Sequence, residues 1–293
     1  MLTLFTIPKA FLGHAGVIQD NAIGSWSRLG SGCETILFGD DFGVSDAAAR
    51  HGVRHVPDVQ RNFAGTPVLG DVFARAAVLA NHPVLCFINT DIILFRDFIG
   101  ALRRLSGDFL MVSSRFNCRI ADPLSFGPNW DHELRARALG EARMYPAGGS
   151  DIFAFRKGLF DGVPPFAVGR GYWDNWLMLH ARQRGARLVD ATSAVVAVHQ
   201  DHHYAHIPDL AAERAYGDFP PRATEEIRCN LALAGGRSRL FTVYDATEVL
   251  TSEGRLLGTL RPTLIRRRVK AVLRRLIARA PPIARLLRSD RHQ

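Results

Sequence analysis

The chain has 293 residues, 47% hydrophobic and 22% charged, which excludes a disordered or fibrous protein and leaves apolar content for one large globular domain or two small ones. No uninterrupted apolar run approaches the roughly 20 residues that span a bilayer, and the opening stretch MLTLFTIPKAFLGHAG lacks the charged start and long apolar middle of a signal peptide, so the cytoplasm is the expected compartment. The formal charge of +9 is concentrated: residues 261–293 hold eleven Lys or Arg against one acid, a net +10, which leaves the first 260 residues at −1. The four cysteines, Cys33, Cys86, Cys118 and Cys229, form no CxxC pair, which fits reduced thiols and argues against a disulfide or zinc framework.

In chain order, the first half alternates short apolar segments with amphipathic ones, the pattern of an α/β domain with a mostly parallel sheet flanked by helices. Strands are expected at LTLFTI (2–7), ETILFGD (34–40), RHVPDV (54–59), VLCFINT (84–90) and FLMVSS (109–114). Between the first two, Val17, Ile18, Ala22, Ile23, Trp26 and Leu29 recur at helical spacing. Between the third and fourth, Pro67 suits a first helical turn, and Val72, Phe73, Ala76 and Leu79 share one face. Both segments read as packed crossovers. The second half is less regular, with a helix expected at 130–140, a strand at 151–156, a Gly-Pro-rich loop at 161–172, a helix at 173–185 and strands around 186–191 and 194–200. A helix with a glycine stop at 231–236 and a hairpin within 241–256 follow. No repeat or low-complexity linker precedes about Thr259, so one domain is expected over 1–258, with a basic tail over 259–293.

The stretch CFINTDIILF, residues 86–95, reads as a buried strand that nonetheless carries Asn89, Thr90 and Asp91 in its middle. A bare carboxylate in apolar surroundings is costly unless paired, hydrogen-bonded or metal-bound, so Asp91 is expected where the strand reaches a site. Ligands of open parallel sheets bind beyond the carboxyl ends of the strands. Thr6 with Pro8, Asp40 with Asp41, and Asn89 with Asp91 follow three such strands and are expected to face one crevice. Two oxygen-bearing side chains two residues apart project to one side of an extended segment, a start for a hard divalent cation such as Mn2+ or Mg2+.

INTDIIL resembles the DxD motif of nucleotide-sugar-dependent glycosyltransferases with the GT-A fold, in a variant whose first acid is Asn89, with one charge fewer for a metal. The resemblance implies a Rossmann-like GT-A domain in which Thr6, Pro8, Asp40, Asn89 and Asp91 contact the donor. YPAGGSDIFAFRKGLF resembles the segment lining the donor sugar and acceptor, where Gly148 and Gly149 would allow close backbone approach and Asp151 would meet a sugar hydroxyl. GRGYWDNWLML resembles the segment in which aromatic residues precede an acid that opens a helix. It implies Asp174 as the base of an inverting transfer, with Trp173 and Trp176 as flat surfaces for a sugar; the plain alternative is a first-turn acid with core tryptophans. In VHQDHHYAH the spacing of His199, His202, His203 and His206 lacks an HExxH pattern or a nearby cysteine, so a separate zinc site has little support. The resemblance instead implies one late histidine, best matched by His199, completing a metal site with Asp91 and Asn89.

The implied reaction is metal-assisted transfer of a sugar from a nucleoside diphosphate to a glycan or glycolipid hydroxyl; under retention of configuration Asp174 would only bind. Two alternatives stand beside it. A nucleotidyltransferase needs a glycine- and lysine-rich loop after the first strand, which TIPKAFLGHAG matches poorly, and a non-catalytic binding protein of the same fold is kept open by Asn89. Residues 208–258 match no element of the family. In the tail, a helix over 264–279 would place Ile265, Val269, Val272, Leu273 and Leu276 opposite Arg267, Arg268, Lys270, Arg274 and Arg275. Such a C-terminal basic amphipathic helix suits an anionic membrane surface, engaged through 261–288 at the inner face, better than nucleic acid, unless it packs on its own domain or a second subunit.

Overall fold

The computed structural model describes residues 1–141, 143–144, 150–201, 221–236 and 240–259. The expected tail helix, Gly148, Gly149, His202, His203 and His206 lie outside these residues. The described elements begin with β1 (Leu2–Thr6), α1 (Gly13–Trp26), β2 (Cys33–Phe38), α2 (Val44–His51), β3 (Arg54–Val56), α3 (Leu69–Leu79), β4 (Val84–Ile88) and β5 (Ile92–Leu94). They continue with α4 (Asp97–Leu102), β6 (Phe109–Val112), β7 (Phe116–Cys118), α5 (Trp130–Glu141), β8 (Arg143–Met144), β9 (Ile152–Arg156) and α6 (Trp173–Gln183). β10 (Arg187–Asp190), β11 (Ala197–Gln200), α7 (Pro221–Leu233), a 3-10 turn (Val243–Asp245) and the hairpin β12 (Glu248–Leu250) and β13 (Leu256–Gly258) complete them.

These form the expected α/β architecture. The main sheet has the order β13-β12-β10-β6-β9-β4-β1-β2-β3, parallel throughout except for β9, inserted antiparallel between β4 and β6, and β13 at the edge. Strand alternation splits the core in two. Phe5, Leu85, Phe87, Phe153 and Phe155 point to the face covered by α3 and α6, where they meet Phe73, Leu177 and Met178. Leu2, Leu4, Cys86, Ile88 and Ala154 point to the other face, against Ile23 and Trp26 of α1, Ala48 of α2 and Phe98 of α4. With both faces covered, the strands are nearly continuous apolar runs, as parallel sheets require. A second sheet, β5-β11-β7-β8, packs with α5 around Ile93, Phe95, Leu134 and Val198.

Residues 86–95 are therefore not one strand. β4 ends at Ile88 in the main sheet, the chain turns over Asn89–Asp91, and β5 starts the second sheet against β11. The Ile92 N–H donates to Asn89 O at 3.2 Å to close the turn, and the Trp26 indole donates to Ile92 O at 2.9 Å, tying α1 to β5. Pro67 is also outside the first turn of its helix. Its carbonyl accepts the Val168 N–H and the Val68 N–H donates to Gln60 O, so the chain is still extended there and α3 starts at Leu69. Two short helices escaped the periodicity reading, α2 between Gly43 and Gly52, both in the left-handed region, and α4, only six residues long.

Candidate functional site

The carboxyl ends of β1, β2 and β4 meet at one edge of the main sheet, as their parallel pairing demands. Because β9 runs antiparallel to β4, with Ile152 opposite Ile88, its amino end lies at this same edge and brings Asp151 beside Asn89. β11 pairs antiparallel with β5, placing His199 opposite Ile92 and next to Asp91. Three chain segments distant in sequence thus deliver Asn89, Asp91, Asp151 and His199 to one place.

Thr6 Oγ1 lies 3.1 Å from Thr90 Oγ1, so the end of β1 is tied to the turn that carries Asp91. Pro8 is buried beyond it. The Asp91 carbonyl accepts from the Gln200 N–H at 3.1 Å and from Gln200 Nε2 at 3.3 Å. Gln200 is fully buried and its side-chain oxygen accepts from Asn21, so α1, β11 and the turn are locked together. The Asp91 side chain approaches His199: Oδ2 and Nε2 are 3.4 Å apart, with His199 only 2% exposed. His199 Nδ1 lies 3.8 Å from Asp201 Oδ1.

Asn89 does not face Asp91 with its amide nitrogen. Its Nδ2 donates to Asp151 Oδ1 at 2.6 Å, and the backbone repeats the link, Asn89 N–H to Asp151 O at 3.0 Å. Asp151 Oδ2 accepts from the Arg115 guanidinium, whose Nε also donates to Asn117 Oδ1 at 3.2 Å. The Asp151 carboxylate is therefore held by a cation on one oxygen and an amide on the other, which leaves lone pairs for a further donor such as a hydroxyl.

Asp174 stands in the first turn of α6, entered through Gly169, Gly171 and Tyr172 at φ of 72°, 69° and 66°. Tyr172 is the only non-glycine residue with positive φ among the described residues. Such backbone costs about 1–3 kcal/mol and persists where surroundings enforce it. Loss of hydration raises the Asp174 carboxyl to about 7; the backbone N–H groups of the helix start pull it down, and the nearby charge of Asp151 pushes it further up. Lys9, much of whose surface is open, has an ammonium held below the usual lysine range by desolvation, an effect opposed by Asp91 and reinforced by Arg170.

Asp40 lies at the end of β2 with its side chain 67% exposed, bound to Arg61 Nη2 at 2.6 Å, and the guanidinium holds its carboxyl below the usual range. Trp173 departs from the expectation of a sugar platform: it is 6% exposed, enclosed by Phe87 and Phe153 with ring centroids 5.3 Å away in each case, and it belongs to the core. Trp176 packs on Phe166 and stacks on His180 at 4.3 Å. Gln200 and Arg115 were absent from the sequence expectations. Nothing local marked either, since their partners lie 109 and 36 residues away.

Asp91 and His199 fit a hard divalent cation in donor chemistry and separation, a carboxylate oxygen and an imidazole nitrogen close enough to serve one ion. Among the described residues no group of three or more His, Cys, Asp or Glu side chains forms a cage. An ion here would complete its shell from water and substrate oxygens, as Mg2+ usually does. No helix among the described residues is long and apolar enough to cross a membrane.

No known protein family and no curated protein sequence matches the chain. Among solved structures, glucosyl-3-phosphoglycerate synthase from Mycobacterium tuberculosis in complex with Mg2+ and uridine diphosphate aligns with 18% identity over 80% of each chain at a TM-score of 0.47. The same enzyme with Mn2+, uridine diphosphate and phosphoglyceric acid aligns with 18% identity over 80% of this chain and 79% of that one, TM-score 0.48. With Mn2+, UDP-glucose and phosphoglyceric acid the figures are 17%, 80% of each chain and 0.46. Likeness of this degree assigns neither a family nor an activity to the chain.

Proposed function

We propose that this protein is a metal-assisted glycosyltransferase of GT-A type that moves a sugar from a nucleoside diphosphate to an acceptor hydroxyl. The observation that carries the reading is the pairing of Asp91 with His199 just past the carboxyl end of β4, beside an Asp151 held by Asn89 whose charge also reaches the Asp174 carboxyl at the start of α6. A cation held by Asp91 and His199 would offset the charge that develops on the leaving diphosphate. Asn89 takes another role than direct ligation by its amide nitrogen: it fixes Asp151, which is then placed to receive a sugar hydroxyl.

Asp174 acts as the general base. A base works best when its pKa lies near the operating pH, and burial has moved this carboxyl there. It takes the acceptor hydroxyl proton as the oxygen attacks the anomeric carbon. Thr6, Pro8 and Asp40 lie along the ends of β1 and β2, where a nucleoside would extend away from Asp91, with Arg61 holding Asp40 in place. The acceptor is a glycan or lipid-linked hydroxyl, and residues 261–288 bring the domain to an anionic inner membrane face, a reading that rests on the tail sequence alone.

The test is release of nucleoside diphosphate from a panel of nucleotide sugars, with and without Mn2+ or Mg2+, by native protein and by Asp91→Ala and His199→Ala. Turnover of one donor that depends on the cation and is lost in both variants is expected. Donor binding without turnover under any condition would place the protein among non-catalytic relatives of the fold, and absence of both binding and turnover overturns the reading.

A further inference from the structure

α7 presents two buried polar side chains one helical turn apart, Glu226 and Asn230, each 1% exposed. Both face the loop that leads into α6. Asn230 Oδ1 accepts the Ala167 N–H at 2.9 Å, and its Nδ2 donates to Ala167 O at 2.9 Å and Gly171 O at 3.0 Å. Three of the four hydrogen-bonding positions of the amide are thus spent on the backbone of one loop. Glu226 accepts from Arg170 Nε at 2.7 Å and from Asn62 Nδ2 at 2.7 Å. Burial works to raise its carboxyl, and the bonds from Asn62, Thr66 and Arg170 prevail and hold it below the usual range.

On the side away from α7, this loop is fixed by the Leu69 N–H on Phe166 O and the Val168 N–H on Pro67 O. The Gly171 carbonyl that Asn230 holds belongs to the peptide leading into Tyr172, the non-glycine residue at φ 66°. Tyr172 O then accepts the Trp176 N–H at 3.0 Å and starts α6, two residues before Asp174 in the chain. Relaxation of Tyr172 to negative φ would swing the first turn of α6 and re-aim Asp174.

We propose that Asn230 is the positioning residue for Asp174, holding the left-handed turn through which α6 presents that carboxyl to the crevice. The inference rests on the glycosyltransferase reading and adds to it that α7, from the part of the chain matching no element of the resembled family, completes the site.

The variants are Asn230→Asp, which keeps the shape but sets a carboxylate oxygen against two carbonyls, Asn230→Leu as a second replacement, and the double variant Asn230→Asp with Tyr172→Gly. Three readouts are taken where circular dichroism shows the variants folded: kcat and donor KM for the donor the native protein uses, and the rate of trypsin cleavage after Arg170. Both single variants are expected to lose kcat by about tenfold or more, the scale of a misplaced catalytic group, with donor KM within about twofold. Cleavage after Arg170 is expected to rise about fivefold, since a released loop opens locally. Tyr172→Gly is expected to restore part of kcat in the Asp background, because glycine adopts positive φ without penalty.

Unchanged cleavage, or unchanged kcat in a folded variant, overturns the proposal. Asp174→Asn separates the two claims: full turnover in that variant overturns the reading of Asp174 itself, whereas loss there with full turnover in Asn230→Asp overturns the positioning role alone. If neither Asn230 variant folds, the single Tyr172→Gly variant decides: at a clamped turn it keeps native kcat and native resistance after Arg170, and a loss of either refutes the role given to the left-handed turn.

Discussion

Restoring the acid that a DxD motif would carry, by Asn89→Asp, is expected to destabilise this protein. Asn89 Nδ2 lies 2.6 Å from Asp151 Oδ1, so the substitution replaces a donor with a charged acceptor against a carboxylate. Two unit charges centred about 4 Å apart repel by about 4 kcal/mol at an effective dielectric constant of about 20. Arg115 on the other Asp151 oxygen reduces this, as does movement of the new side chain, which leaves a net cost of about 1–3 kcal/mol at pH 7.5. The sign with pH follows from linkage. The introduced carboxyl has its folded pKa raised above the unfolded value of about 3.9, so the cost is absent below that pH, grows as pH rises through it, and is complete above the folded pKa. Urea denaturation of native and variant protein at pH 4 and pH 7.5 reads this directly. Equal stability at pH 7.5, or a loss of the same size at both pH values, refutes the reasoning that Asn89 stands where it does because Asp151 is its neighbour.

Asp174→Asn is expected to lower kcat by about 100-fold or more, and in native protein kcat should fall as pH drops through about 7, because the carboxyl must be ionised to take a proton. The same raised pKa means that the fold loses stability as pH rises from about 3.9, where the unfolded carboxyl ionises, to about 7, where the loss is complete, so Asp174→Asn should be more stable than native by about 2–4 kcal/mol at pH 8 and by little at pH 4, read by urea denaturation. Glu226→Gln should cost about 1–3 kcal/mol at pH 7 by weakening a buried carboxylate paired with Arg170. Since the Glu226 pKa is depressed, that contribution is present above about pH 4.3 and is lost as pH falls through the lower folded value. Gly70→Ala would set a Cβ 2.4 Å from Val163 O and 3.0 Å from Pro164 O, both backbone atoms that cannot rotate away; a thermal midpoint lower by several degrees, about 2–4 kcal/mol, outweighs the usual gain of alanine in a helix.

Much of the architecture was legible because it depends on local pattern. Leu2, Leu4 and Phe5, or Leu85, Cys86 and Phe87, are apolar on both strand faces, and that alone calls for a sheet covered on both sides and for ligands at its carboxyl edge. Asp91 stood out in the sequence as a carboxylate with no reason to lie in an apolar run, and it follows β4 at that edge; Asp174 stood out as the acid opening a helix, and it stands in the first turn of α6 within reach of the Asp151 charge. The tertiary structure decided what local pattern leaves open. Whether residues 86–95 form one strand or two depends on the pairing of β5 with β11, a partner about a hundred residues away. The antiparallel insertion of β9 is what sets Asp151 against Asn89, and Phe87 and Phe153 are what turn Trp173 from a sugar surface into core. Arg115, Gln200 and Asn230 carry no spacing signal, because their roles lie in hydrogen bonds across separations of 36, 109 and 63 residues. Periodicity reports which face of an element is apolar; which elements become neighbours, and so which polar groups meet, is settled only when the sheets close.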